Sequence, residues 1–71
     1  MNEKESLLLS TFNKLFGENF SSLDIERSKT PEWDSMKHAE LIIKLQKEFK
    51  VKFDISDVLE IKNLRDFLPL I

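Results

Sequence analysis

The stretch Glu32–Leu45, E-W-D-S-M-K-H-A-E-L-I-I-K-L, decides how this chain is read. Asp34 and Ser35 are typical helix-capping residues, and the apolar residues beyond them recur at helical spacing. A long amphipathic helix is therefore predicted from about Ser35 to Lys50. Drawn as a wheel at about 100° per residue, it has two apolar faces. Leu41, Ile42, Leu45 and Phe49 fall within an arc of about 100° and make a core stripe, with His38 inside the same arc. Met36, Ala39 and Ile43 gather on roughly the opposite side, among Glu40, Lys47 and Lys50. This second patch is expected to stay exposed as a partner site, the alternative being that another helix covers it. Ser35 stands beside unsatisfied backbone amides and the positive end of the helix dipole, a favourable place for a phosphate. Taken alone, Asp-Ser is far more often just a cap.

Towards the N-terminus, Asn2 is a plausible cap with Glu5 three residues on, as in a capping box. Leu8, Leu9, Phe12, Leu15 and Phe16 then share one face, and Gly17 supplies a left-handed stop, so a first helix is predicted over about Glu3 to Phe16. Residues 18–34 read as a long connection anchored by Phe20, Leu23 and Ile25. Thr30-Pro31 is a competing start signal. It is assigned to a short separate turn at Pro31–Trp33, with the main helix starting at Asp34.

Towards the C-terminus, Val51, Phe53 and Ile55 alternate with Lys52 and Asp54 like a strand. No partner strand exists elsewhere, so the strand is rejected. Ser56 or Asp54 can cap a short third helix through Ile61 that buries Val58 and Ile61. Asn63 can cap a fourth from Leu64 to Leu68, ended by Pro69. The expected fold is all-α: a small four-helix bundle with three main helices, one short third helix and a long loop between helices 1 and 2, forming a single domain over residues 1–71.

Composition narrows the function classes. The 71 residues suffice for one core, 41% are hydrophobic, and there is no Cys, one Gly and two Pro, so neither disulfides nor a thiolate metal site are expected. A reducing cytoplasm suits such a chain. No apolar run approaches the ~20 residues of a membrane span, and M-N-E-K-E lacks the order of a signal peptide. Net charge is -2, and the lysines are interspersed with acids instead of forming the dense basic stripe that nucleic-acid binding needs.

The chain resembles the acyl and peptidyl carrier protein family. The family signature is D-S-[LM], then E-L, then an apolar helix ending in L-x-x-x-F. Here it reads Asp34-Ser35-Met36, Glu40-Leu41, Ile42, Ile43, Leu45 and Phe49, and apolar positions continue to match through Phe53, Val58, Ile61, Leu64 and Leu68. The resemblance implies a carrier that holds acyl or aminoacyl cargo as a thioester on a 4'-phosphopantetheine arm derived from coenzyme A. Ser35 would be the attachment point and Asp34 would support the transfer. Met36, Ala39, Glu40 and Ile43 would contact partners: a phosphopantetheinyl transferase and the enzymes that load and unload the arm. A monomer in the cytoplasm, with no catalytic residue of its own, is the implied form. Two departures qualify this. Many fatty-acid carriers have Gly two residues before the serine, where this chain has Trp33. They also have an acidic second helix, whereas Ser35–Lys50 carries Glu40 and Glu48 against Lys37, Lys44, Lys47 and Lys50. A specialised pathway is therefore expected instead of housekeeping fatty-acid synthesis.

Two other classes compete with the carrier. An enzyme would pair Ser35 with His38 as base at i, i+3. The wheel turns His38 to the core, no glycine-rich elbow surrounds the serine, and the chain has only one His for metal work. An unmodified interaction module of the same fold, using Met36, Ala39 and Ile43 alone, remains the alternative. Trp33 is expected to pack against the core instead of serving as a stacking platform.

Overall fold

The computed structural model describes all 71 residues and contains helices without strands. Helix α1 spans Glu3–Phe16, the predicted range. Its start is closed reciprocally: the Asn2 side chain accepts from the Glu5 amide at 2.8 Å, and the Asn2 amide donates to Glu5 Oε1 at 3.0 Å. Gly17 ends it in the left-handed conformation, φ 65°. Helix α2 spans Ser35–Phe49, and the Asp34 carboxylate caps it by accepting from the Lys37 amide at 2.9 Å. Its last helical residue is Phe49, because Lys50 already turns left-handed at φ 55°.

The connection between α1 and α2 is held at both ends and in the middle. The Asn13 side-chain amide brackets the Phe20 backbone with two 3.0 Å bonds, and Leu23 and Ile25 are buried. The short helical turn lies at Arg27–Lys29, a 3-10 turn, and not at Pro31–Trp33 as predicted. The Thr30 hydroxyl explains the placement, since it bonds back to the Glu26 carbonyl at 2.7 Å and closes that earlier turn. Pro31 and Glu32 form only a turn closed by the Trp33 amide on the Thr30 carbonyl, 2.9 Å.

Residues 51–54 form no strand. Helix α3 is Ile55–Leu59 with Asp54 at the cap position, so it stops two residues before the predicted Ile61. Ile61 is nonetheless buried, from the segment after the helix, whereas Val58 is only half-buried. The last element runs from Leu64 to Leu70 as a 3-10 helix and not as an α-helix ended by Pro69. Three residues per turn place Leu64, Phe67 and Leu70 above one another, and the first two are completely buried. A two-residue bridge that sequence periodicity does not reveal ties this region to the first loop: the Arg27 amide donates to the Lys62 carbonyl at 2.8 Å and the Leu64 amide to the Ile25 carbonyl at 3.0 Å.

Leu8, Phe12, Leu23, Leu41, Leu45, Leu64 and Phe67 are the most deeply buried side chains, and α1 packs on both α2 and the last helix. Phe12 stacks on Phe16 at 4.0 Å and meets Trp33 edge-on at 5.2 Å, so the aromatic group fixes the end of the loop directly before Ser35. No helix is long and apolar enough to cross a membrane.

Candidate functional site at the start of helix α2

Ser35 occupies the first helical position of α2 and is exposed. The Asp34 cap satisfies the Lys37 amide, and the Asp34 carbonyl accepts from the His38 amide at 2.8 Å. The amides of Ser35 and Met36 precede the first intrahelical bond, so they are available to an anion at the positive end of the dipole. An exposed hydroxyl beside two such amides fits a phosphodiester on Ser35 Oγ.

The residue two before the serine is held from several sides. Trp33 is buried, 2% exposed. Its indole N–H donates to His38 Nδ1 at 2.9 Å, its amide donates to Thr30, and its carbonyl accepts from Arg27 Nε at 3.3 Å. His38 lies in the core as the wheel predicts, and its Nε2 meets the Val58 carbonyl at 2.9 Å. A histidine that accepts at Nδ1 carries its proton on Nε2, so His38 is the neutral tautomer that donates to Val58. Burial pushes its pKa below the ordinary 6.5. The Val58 bond opposes that shift, and the Arg27 charge adds to it. Both ring nitrogens are engaged away from Ser35, so the two residues do not form a serine–base pair.

Met36 and Ile43 are 75% and 65% exposed, and Ala39 and Glu40 are also at the surface. Glu40 lies 3.7 Å from Lys37, whose ammonium also donates to the Leu15 carbonyl at 3.3 Å and sits 5.8 Å from the Phe16 ring centre. Lys37 is thereby drawn towards α1, and Lys44, Lys47 and Lys50 remain without ion pairs. Sequence reasoning missed two further exposed apolar residues, Ile55 and Leu59 on α3, at 79% and 75%. The alternation of residues 51–55 includes Ile55 alone and points to a strand and not to an uncovered helix, and no such pattern marks Leu59.

A cleft of about 510 Å³ opens between the first loop and α3, lined by Arg27, Ser28, Trp33, Leu59, Ile61 and Lys62. A larger recess of about 610 Å³ follows α1 from Met1 to Asn19 and shares no residue with the start of α2, so its size gives it no part in the site. No group of three or more His, Asp or Glu side chains is assembled for a metal.

The family model of the phosphopantetheine attachment site matches residues 33–71. No curated protein and no solved structure matches the chain. The matched region opens at Trp33, contains the exposed Ser35 and continues through the last helix. Covering more than half of the chain, it shows that this protein belongs to the phosphopantetheine-attachment family of acyl and peptidyl carrier proteins, with 4'-phosphopantetheine as its prosthetic group.

Proposed function

We propose that the 71 residues act as one carrier domain that holds an acyl or aminoacyl group and delivers it to partner enzymes, with Ser35 as the attachment residue. The observation that carries this reading is the exposed Ser35 hydroxyl at the first position of α2, within the matched region and beside the amides of Ser35 and Met36. When bound, the prosthetic group supplies a terminal thiol that holds cargo as a thioester. The chain's own residues contribute position and charge. Ser35 provides the oxygen that bonds to phosphorus, and the helix N-terminus stabilises the resulting negative charge. Asp34 holds the helix start and presents a carboxylate one residue from the acceptor oxygen, where it supports the transferase reaction. Trp33, pinned by His38 and Arg27, keeps that start at a fixed place on the core. The domain itself contributes no acid, base or nucleophile to the chemistry of the cargo and is not an enzyme.

Met36, Ala39, Glu40 and Ile43 form the surface that meets the transferase and the loading and accepting enzymes. With Glu40 beside Lys37, the remaining charges of α2 and its C-cap are Lys44, Lys47 and Lys50 against Glu48. A partner with a basic docking patch would be repelled. This favours a specialised pathway over fatty-acid synthesis that uses acidic carriers. The domain works as a cytoplasmic monomer, diffusing between active sites.

Incubation with coenzyme A and a promiscuous phosphopantetheinyl transferase, followed by mass spectrometry, tests the reading. The expected result is a phosphopantetheinyl mass increment that is absent from Ser35→Ala. No increment with any transferase tried would overturn it and leave an unmodified interaction module built on Met36, Ala39 and Ile43.

A further inference from the structure

The cleft between the first loop and α3 combines two chemistries. The exposed Leu59 side chain and the edges of the buried Trp33 and Ile61 give it apolar wall, and Arg27 and Lys62 bring two cations to the same space. Its volume of about 510 Å³ lies within the range of small-molecule sites, roughly 300–1,000 Å³. Three of the nearby acids are committed elsewhere. Glu26 is 3.6 Å from Lys29, Asp24 pairs with Arg65 Nε at 3.2 Å, and Asp66 accepts the amides of Lys62 and Asn63 at 3.0 Å each. Asp57, Glu60 and Asp66 line a separate recess with Ile61 and Leu70. Arg27 is half-buried and commits only its Nε, to the Trp33 carbonyl at 3.3 Å. Its two terminal nitrogens and the Lys62 ammonium have no carboxylate partner.

A partly desolvated guanidinium without a counter-ion favours a planar anion that it can bind through two parallel hydrogen bonds. We propose that this cleft is a cargo subsite selective for an acyl group ending in a carboxylate. The methylenes lie against Leu59 and the edges of Trp33 and Ile61, and the carboxylate is held by Arg27 and Lys62. The inference rests on the carrier reading, because the cargo arrives on an arm tethered at Ser35. Trp33, two residues before Ser35, makes part of the cleft wall, so the arm reaches it by turning back along the loop. A purely aliphatic cargo would leave both cations without partners, and the arm's phosphate, tied to Ser35, would leave the exposed Leu59 uncovered.

The test loads the intact domain through a promiscuous transferase with coenzyme A, pentanoyl coenzyme A or glutaryl coenzyme A. The last two carry acyl chains of equal carbon count that differ in the terminal carboxylate. Proton–nitrogen NMR signals of the Trp33 indole and the Arg27 Nε report on the cleft. Both are expected to shift with the glutaryl form alone, and the Trp33 shift is lost in Arg27→Gln. It also falls in Lys62→Gln, an exposed position that keeps the test valid if the first variant disturbs the loop. Equal shifts with the pentanoyl form, the whole shift with the unacylated arm, or no shift with any form would each overturn the proposal. Failure of the carrier reading shows separately, as no mass increment on Ser35. In that case free S-glutaryl pantetheine is titrated to millimolar concentration against the unmodified domain. A Trp33 shift that disappears in Arg27→Gln supports the subsite, and no shift overturns it.

Discussion

Trp33 donates its indole N–H to His38 Nδ1 at 2.9 Å, and His38 passes the connection on by donating from Nε2 to the Val58 carbonyl at 2.9 Å. One imidazole thus joins the loop before Ser35, the first turns of α2 and the helix α3. Only the neutral ring serves both bonds in this sense, because a proton on Nδ1 would meet the indole N–H donor head-on.

The pH dependence of stability follows from that constraint. Burial lowers the pKa of His38 in the folded state, more than the Val58 bond raises it, and the Arg27 charge lowers it further. The unfolded chain, with its His38 near 6.5, therefore binds more protons, and stability rises with pH through this window. The contribution is complete above 6.5, declines as pH falls below that value and is lost below the folded-state pKa. Denaturant midpoints compared between about pH 5 and 8 should fall on acidification, and less steeply in His38→Gln. Trp33→Phe stays aromatic but removes the donor along with part of the buried ring, and should cost about 1–3 kcal/mol or more while reducing the slope. A slope unchanged in both variants would reject His38 as its source.

The cap role of Asp34 and the transfer role proposed for it are separable. As a cap it holds the Lys37 amide at 2.9 Å, and Asp34→Ala should destabilise the domain by about 1 kcal/mol. Asn caps as well as Asp, so Asp34→Asn should fold with near-normal stability. If the carboxylate supports the transfer, the same variant should be modified about tenfold to a hundredfold more slowly, the scale of one charged hydrogen bond. Normal transfer kinetics in Asp34→Asn would reduce Asp34 to a cap.

What the sequence revealed of this molecule tracks how local each signal is. The bounds of α1 rest on Asn2, Glu5 and Gly17, and the start of α2 on Asp34, all acting within one turn of the helix end. The turn at Arg27–Lys29 depends on a Thr30 hydroxyl reaching back four residues, whereas the Thr30-Pro31 start signal points to the residues after it. The bridge between Glu26 and Asn63 joins residues far apart in sequence and leaves no periodic trace. The last helix was misread because Pro69 stops an α-helix, whereas a 3-10 turn aligns Leu64, Phe67 and Leu70 and accommodates it. At the site, the exposure of Met36 and Ile43 was legible from the wheel, and that of Ser35 from its place after the capping Asp34. Trp33 and His38 each read as core residues, yet the bond between them depends on how the cap folds the loop against α2.

The exposed stripe on α2 can be tested without disturbing the core. Met36 and Ile43 are 75% and 65% exposed, so Met36→Ala and Ile43→Glu should leave the circular dichroism unchanged. Loading of the thiol should fall in both, by roughly fivefold or more if each loses about 1 kcal/mol of contact. Steady-state loading with the native partner measures this. Unaltered rates in both variants would remove the stripe from the docking surface.

The two helix ends at Gly17 and Lys50 should respond to substitution with opposite signs. Both residues are left-handed, at φ 65° and 55°, and both close a long helix through the αL cap. Only glycine adopts this conformation without a steric penalty from Cβ. A Cβ added at Gly17 meets no atom within 4 Å, so the cost of Gly17→Ala is a backbone cost, about 1 kcal/mol. Lys50→Gly releases the corresponding strain at the end of α2 and should stabilise the domain by about 0.5–1 kcal/mol, less whatever the more flexible unfolded chain takes back. In a domain of this size each kcal/mol moves Tm by roughly 4–8 °C, so the pair is resolvable by thermal or denaturant unfolding at constant m-value. Equal destabilisation by both substitutions would show that the Lys50 side chain contributes more to the end of α2 than its backbone conformation costs.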